Sequence, residues 1–223
     1  MAKTAKKESV KDRILYVSTR MFLENGYTDT TVKMICDELS ISKGHFNFYF
    51  NAKEYVLAEL VEMLCEFQWE LMKREADDGI SSLLAVCLEL MSMAAACEEE
   101  KAAKDFFVSS YQSPFCLEII QKNDAVRAKE VFAKYCSDWT DEHFREAEIL
   151  VSGIEYSTLN AVDDSVRLET RIAGALNAIM TIYNVPGEIR KTKIDKVLAM
   201  DYRSVGKRIF KEFKEYVEKA NAH

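Results

Sequence analysis

The sequence predicts an all-α chain: a front end of three short helices followed by a larger helical bundle. Only seven glycines and two prolines punctuate 223 residues, where an average sequence would spend roughly 12% on them. Sandwiches, barrels and wound sheets need a turn every dozen residues or so and cannot be built with so few breakers. The long unbroken segments are rich in Ala, Leu, Glu, Lys and Met, which favour helix. With 48% apolar and 30% charged residues, the chain is expected to bury a sizeable core. No apolar stretch reaches the roughly 18–20 residues of a membrane span, and no apolar leader opens the sequence. The expectation is therefore a soluble, cytoplasmic protein without a membrane partner.

Each element has its own signal. Ser9 is a good N-cap with Asp12 in the first turn, and Val10, Ile14, Val17, Met21 and Phe22 then recur at helical spacing. Asn25-Gly26 ends that helix. Thr30 or Thr31 caps a second one, whose inner side is Val32, Ile35, Cys36 and Leu39. Ser40-Ile41-Ser42 is too short for anything but a tight turn, and Ser42 caps a third helix from Lys43 to about Tyr49. Two short helices joined by three or four residues and braced by a first helix make a helix-turn-helix unit. On the third helix Phe46 and Phe50 point inward with Ile41. Lys43, Gly44, His45, Asn47 and Phe48 are left outside, an odd set for a plain solvated face. In a major groove, lysine suits guanine acceptors, asparagine suits adenine, and an aromatic ring can pack on a thymine methyl. Charge fits this direction. Residues 1–53 carry nine bases and six acids, whereas the rest of the chain is strongly acidic, so a polyanion would be drawn to the front end alone.

These residues carry a resemblance. The run from Ile14 to Leu57 resembles the DNA-binding domain of TetR-family transcriptional regulators in Phe22, Gly26 and Tyr27, in Thr30-Thr31-Val32, in Ile41-Ser42-Lys43-Gly44, and in Tyr49, Phe50, Lys53 and Glu54. The resemblance implies that Thr30, Thr31, Tyr49 and Lys53 hold phosphates, and that Ser42, Lys43, Gly44, His45, Asn47 and Phe48 complete the DNA-reading face. Phosphate contacts set register and base contacts set sequence. Three positions depart from the family pattern. Ser40 replaces the usual turn glycine and must take up that backbone angle, Cys36 replaces a small residue in the second helix, and Asn47 replaces a phosphate-holding tyrosine. The expected division is residues 1–52 for DNA and residues 53–223 for ligand binding and dimerisation.

The back end begins with a long helix from Lys53 to about Arg74, stopped by Asp77-Asp78-Gly79. Residues 80–97 are almost wholly apolar, the profile of a central helix buried on most sides. Helices are then expected over Lys101–Tyr111, Phe115–Gln121 after a Ser113-Pro114 bend, Asp124–Ser137, Asp141–Val162, Asp164–Asn184 and Lys191–Lys219. Aromatic and methionine residues, among them Met63, Phe67, Met72, Met91, Phe107, Tyr111, Trp139 and Tyr156, are candidates to line an effector pocket, with Tyr111, Trp139 and Tyr156 as polar tips. Gly174 and Ala178 on one late helix, and Ile209 and Phe213 on the last, are candidates for a dimer face. The six cysteines are scattered without a CxxC pair and the three histidines are isolated, so neither a metal nor any other cofactor is expected. The function implied is a repressor that binds a palindromic operator as a homodimer and is released by a small-molecule effector. The alternatives are a cysteine redox-sensing regulator, which needs an exposed, electropositive thiol, and a helical enzyme, for which no nucleophile motif or phosphate loop is present.

Overall fold

Ser9 opens the first helix in the computed structural model through a capping box. Its hydroxyl accepts from the Asp12 N–H, and the Asp12 carboxylate accepts from the Ser9 N–H, both at 3.1 Å. The structure describes residues 9–77, 80–162 and 165–221. The basic tail (Lys3, Lys6, Lys7), the Asp78-Gly79 stop, the Asp164 helix start and the Met72 side chain lie outside the described residues.

Among the described residues there are eleven helices and no strands. The front end is α1 (Val10–Asn25), α2 (Val32–Leu39) and α3 (Lys43–Tyr49). Gly26 closes α1 at φ 97°, a conformation in which a side chain is strained. Ser40 sits at φ 55° at the end of α2, so the position where the family uses glycine does impose the left-handed conformation. Ile14, Phe22, Ile35 and Phe46 are fully buried and form the common core of the three helices, continued by Val56, Leu57 and Leu60 of α4 (Lys53–Asp77).

Beyond it lie α5 (Ser82–Glu99), α6 (Lys101–Gln112), α7 (Pro114–Phe132), α8 (Asp141–Leu159), α9 (Leu168–Ile182), α10 (Gly187–Leu198) and α11 (Tyr202–Asn221). As its sequence predicts, α5 is central, packed against α4, α6, α8, α9, α10 and α11. At its crossing with α11 the backbones nearly touch. A Cβ on Gly206 would lie 2.6 Å from the Ser92 carbonyl oxygen. The apolar core is one continuous cluster running from Ile14 through to Val217.

Two of the expected helix divisions differ. The segments Phe115–Gln121 and Asp124–Ser137 are one helix, α7, because nothing between them breaks it; Asn123 donates back to the Ile119 carbonyl at 2.9 Å and stays within the helix. Ser113 caps α7 by accepting from Cys116 N–H, and Pro114 takes the first-turn position where its missing N–H costs nothing. The helix expected over Lys191–Lys219 is two. Asp201 accepts from the Ser204 N–H at 3.3 Å and starts α11 afresh, without a glycine or proline to announce the break.

Candidate nucleic-acid interface and internal cavity

The third helix is seven residues long, so its inner face is narrow and its outer face wide. Ser42 accepts from His45 N–H at 3.1 Å and fixes the start of α3. Phe46 and Phe50 are buried, while Ser42, Lys43, Gly44, His45, Asn47 and Phe48 are all exposed, Phe48 by 80%. An 80% exposed phenylalanine gains nothing for the core. It stands edge-on to Tyr49 at 5.0 Å, and His45 stacks on the other side of Tyr49 at 5.7 Å. The three rings form a small aromatic ledge beside Lys43 and Asn47. A Cβ at Gly44 would meet only the Ser42 hydroxyl, at 3.8 Å, so the glycine leaves open backbone rather than relieving an internal clash.

Two residues expected to hold phosphates are engaged elsewhere. Thr30 is fully buried, and its hydroxyl donates to the Gly26 carbonyl at 2.7 Å. It pins the α1–α2 turn and presents no hydroxyl to a phosphate. Thr31, not Thr30, is the exposed N-cap of α2, accepting from Met34 N–H at 3.2 Å. Lys53 donates to the carbonyls of Tyr27 and Thr30 at 2.7 and 2.8 Å and lies 4.1 Å above the Tyr27 ring. Two of its three N–H donors are thus spent on carbonyls of the turn. Burial accordingly lowers its pKa.

The same turn is fastened to the bundle. Asp105 of α6 accepts from the Thr28 N–H at 2.7 Å and the Thr28 hydroxyl at 2.5 Å, and Lys101 pairs with Asp29 at 3.0 Å. Ser113 donates to Glu54 at 2.6 Å, at the start of α4. The front end is thus tied to α4, α6 and the α6–α7 junction.

Inside the bundle lies a cavity with about 930 Å³ of space free of atoms, its open mouth included, bounded by α4, α5, α6, α7, α8 and α9. Of the sequence candidates, Phe107 and Tyr111 line it. Five of the others do not. Met91 is fully buried core, and Phe67 packs on the Phe213 ring at 5.4 Å and lines a separate, smaller space. Met63 is half-buried at the edge of the core. Trp139 packs on Phe144 and Tyr183, and Tyr156 accepts from Gln112 and Asn160 outside the cavity wall. Sequence reading missed the charged wall: Glu89, Asp124, Arg127, Glu148 and Glu155. Arg127 pairs with Glu89 and, at 3.1 Å, with Asp124. Tyr183 donates to Glu148, and Tyr111 donates to Glu155 at 2.8 Å. Burial raises Glu148 to about 8 and Asp124 to about 6.

The last helix is not a free face. Phe213 is buried between Phe67 and Phe106, and Ile209 borders the smaller internal space, so the α11 stripe packs within its own chain on α5, α1 and α4. Gly174 is exposed with nothing within 4 Å of where its Cβ would be, and Ala178 is half-buried beside it. On the neighbouring α8, Ile149 and Leu150 are 61% and 58% exposed.

All six cysteines are buried, and burial pushes the thiols of Cys65, Cys87 and Cys97 up to about 12. Such thiols lack the thiolate that a redox switch requires. Among the described residues no His, Cys, Asp and Glu group is arranged to hold a metal ion, and no helix is long and apolar enough to cross a membrane.

The three front helices, with their exposed, capped third helix, make a helix-turn-helix unit joined to a cavity-bearing bundle. Comparison with known proteins agrees. Residues 14–60 match the family model for bacterial regulatory proteins of the tetR family. It is 32% identical over 148 residues to YerO of Bacillus subtilis (strain 168), an uncharacterized HTH-type transcriptional regulator. The match takes in 65% of this chain and 48% of YerO, so the chain spans about half the length of that relative. Similar solved structures include a gamma-butyrolactone receptor described as ArpA-like (TM-score 0.42, 18% identity, 91% of this chain and 96% of that one). CprB of S. coelicolor A3(2), a TetR family protein, is another (TM-score 0.44, 19% identity, 91% and 96%).

Proposed function

We propose that this chain is a DNA-binding transcriptional repressor that reads a palindromic operator as a homodimer and releases it when a small molecule fills the bundle cavity. The carrying observation is the exposed face of α3, where Lys43, Gly44, His45, Asn47 and Phe48 stand free around a buried Phe46. Ser42, Thr31 and Tyr49 flank them as phosphate contacts, whereas Thr30 and Lys53 support the turn behind. The dimer face is assigned to the outer sides of α8 and α9, where Ile149 and Leu150 are exposed, Gly174 faces open space and Ala178 is half-buried. In a two-fold dimer the two α3 helices would then enter successive major grooves, roughly 34–36 Å apart. The protein would act in the cytoplasm, on double-stranded DNA. A ligand that moves α6 or α4 would move the front end with it, through Asp105–Thr28, Ser113–Glu54 and Lys53. A coupling of only ~1–3 kcal/mol would change operator occupancy 5- to 150-fold.

The test is selection of a binding sequence from random DNA, followed by salt-dependent shift assays. The selected site should be palindromic, and Lys43→Ala with His45→Ala should abolish discrimination between it and scrambled DNA. Retained sequence preference in that double variant would refute the assignment of α3. Leu150→Glu should convert the dimer to monomer by sedimentation; an unchanged dimer would move the interface elsewhere.

A further inference from the structure

Within the cavity, charge is out of balance. Four carboxyl groups line it, Glu89 on α5, Asp124 on α7, and Glu148 and Glu155 on α8, against a single guanidinium, Arg127 of α7. Arg127 is itself buried and already engaged, clasped by Glu89 and by Asp124 at 3.1 Å. Among the described residues Glu148 and Glu155 make no ion pair. Each is held instead by one tyrosine hydroxyl, Tyr183 at the end of α9 and Tyr111 of α6. The two glutamates are seven residues apart on α8, two turns along one face and about 10 Å in rise. The wall around them is apolar and aromatic. Phe132 and Tyr183 stack at 4.1 Å, and Phe107 and Tyr111 face them from α6.

We propose that the cavity takes an organic monocation, an ammonium or amidinium group on a slim apolar body, with its charged head against Glu148 and Glu155. The proposal rests on the effector-cavity reading above and names the chemistry of its ligand. An anion would meet four carboxyls. A neutral ligand would leave both glutamates protonated and gain no electrostatic attraction from them. A metal ion is disfavoured because the carboxyls do not converge into a metal-binding group. An organic cation satisfies both glutamates and also finds ring faces to sit on. Without ligand the glutamates keep their protons: burial, with Asp124 nearby, raises both above the ordinary carboxyl range, Glu148 to about 8. An entering cation therefore expels a proton into solvent.

The experiment is titration calorimetry of the full chain, without DNA, against three shape-matched probes. They are benzyltrimethylammonium, the neutral 2,2-dimethyl-3-phenylpropan-1-ol and the anionic 2,2-dimethyl-3-phenylpropanoate, with decyltrimethylammonium as a second, longer cation. At least one cation should bind tenfold or more tightly than the alcohol, the anion should not bind, and the cation's affinity should rise between pH 6 and pH 9 with proton release. Glu148→Gln with Glu155→Gln should remove the cation preference. Circular dichroism will show whether this variant is folded; the wild-type cation–alcohol comparison decides the matter if it is not. The inference is overturned if the alcohol or the anion binds as tightly as the cations, if neither cation binds at 1 mM, or if the folded double variant keeps the preference. Its fate is separable from that of the effector reading. A cation that binds but leaves operator affinity unchanged upholds the inference and removes the effector role. A neutral ligand that binds in its place and releases DNA does the reverse.

Discussion

Asp105 is the residue through which α6 grips the front end, and Asp105→Asn isolates that grip. In the native protein one carboxylate oxygen takes the Thr28 N–H at 2.7 Å and the other takes the Thr28 hydroxyl at 2.5 Å. Asparagine keeps one acceptor for the Thr28 N–H and turns an NH₂ group toward the Thr28 hydroxyl, which rotates to accept from it, so both contacts lose their charge assistance. A hydrogen bond to a charged group contributes about 1.5–3 kcal/mol. Asp105 is half-exposed, and water recovers part of that, leaving a loss of about 1–2 kcal/mol. For a chain of this size that is a fall in Tm of about 2–8 °C. The assay is a thermal double-mutant cycle with Thr28→Val, which removes the hydroxyl but keeps the backbone donor. The two changes should be non-additive by at least ~0.5 kcal/mol, since they share a partner. Additive effects would mean that the contact carries no energy and that α6 does not hold the turn.

Three further outcomes follow from backbone and burial. Ser40→Gly relieves a left-handed residue at a gain of about 1–2 kcal/mol, offset by roughly 0.5–1 kcal/mol of chain entropy, so Tm should rise by about 1–4 °C without change in DNA affinity. Gly206→Ala forces a Cβ against the Ser92 carbonyl and should destabilise by about 1–3 kcal/mol in chemical denaturation, whereas Gly174→Ala, facing open space, should not destabilise the monomer. Stability should also depend on pH through Glu148. Its folded pKa of about 8 lies above the unfolded value of 4.5, so between these values the folded state holds the extra proton. Stability therefore falls as pH rises through that window and levels off above it; Glu148→Gln should flatten the profile measured by urea denaturation from pH 5 to pH 9.

What the sequence made legible depended on whether local chemistry decided the outcome. The Ser9 and Asp12 capping box, the Gly26 stop and the inward pair Phe46 and Phe50 are local, and the structure has them where the spacing puts them. The partners that Thr30 and Lys53 take within the protein were not legible, because they depend on what the turn folds against. A threonine beside a helix start and a lysine after a helix end look like phosphate ligands until tertiary packing takes their polar atoms. The α10–α11 break was hidden because an aspartate cap, Asp201, does there what a glycine or proline usually announces. The cavity's acids escaped notice because a glutamate reads as solvent-facing. A signal existed all the same: Glu148 and Glu155 share the stripe of α8 that carries Phe144 and Val151, and acids on an apolar stripe have to be accommodated inside. The α11 stripe was equally visible, but periodicity shows that a face is buried and not which chain buries it.

The clasp of Lys53 on the Tyr27 and Thr30 carbonyls bears on how this protein can be dissected. A fragment cut after residue 52 would discard the clasp, together with Val56, Leu57 and Leu60, which close the floor beneath the three front helices. The opening turns of α4 therefore belong mechanically to the reading head, as a rigid stalk belongs to the tool it carries. A tilt of that stalk would act first on the α1–α2 turn that Lys53 clasps.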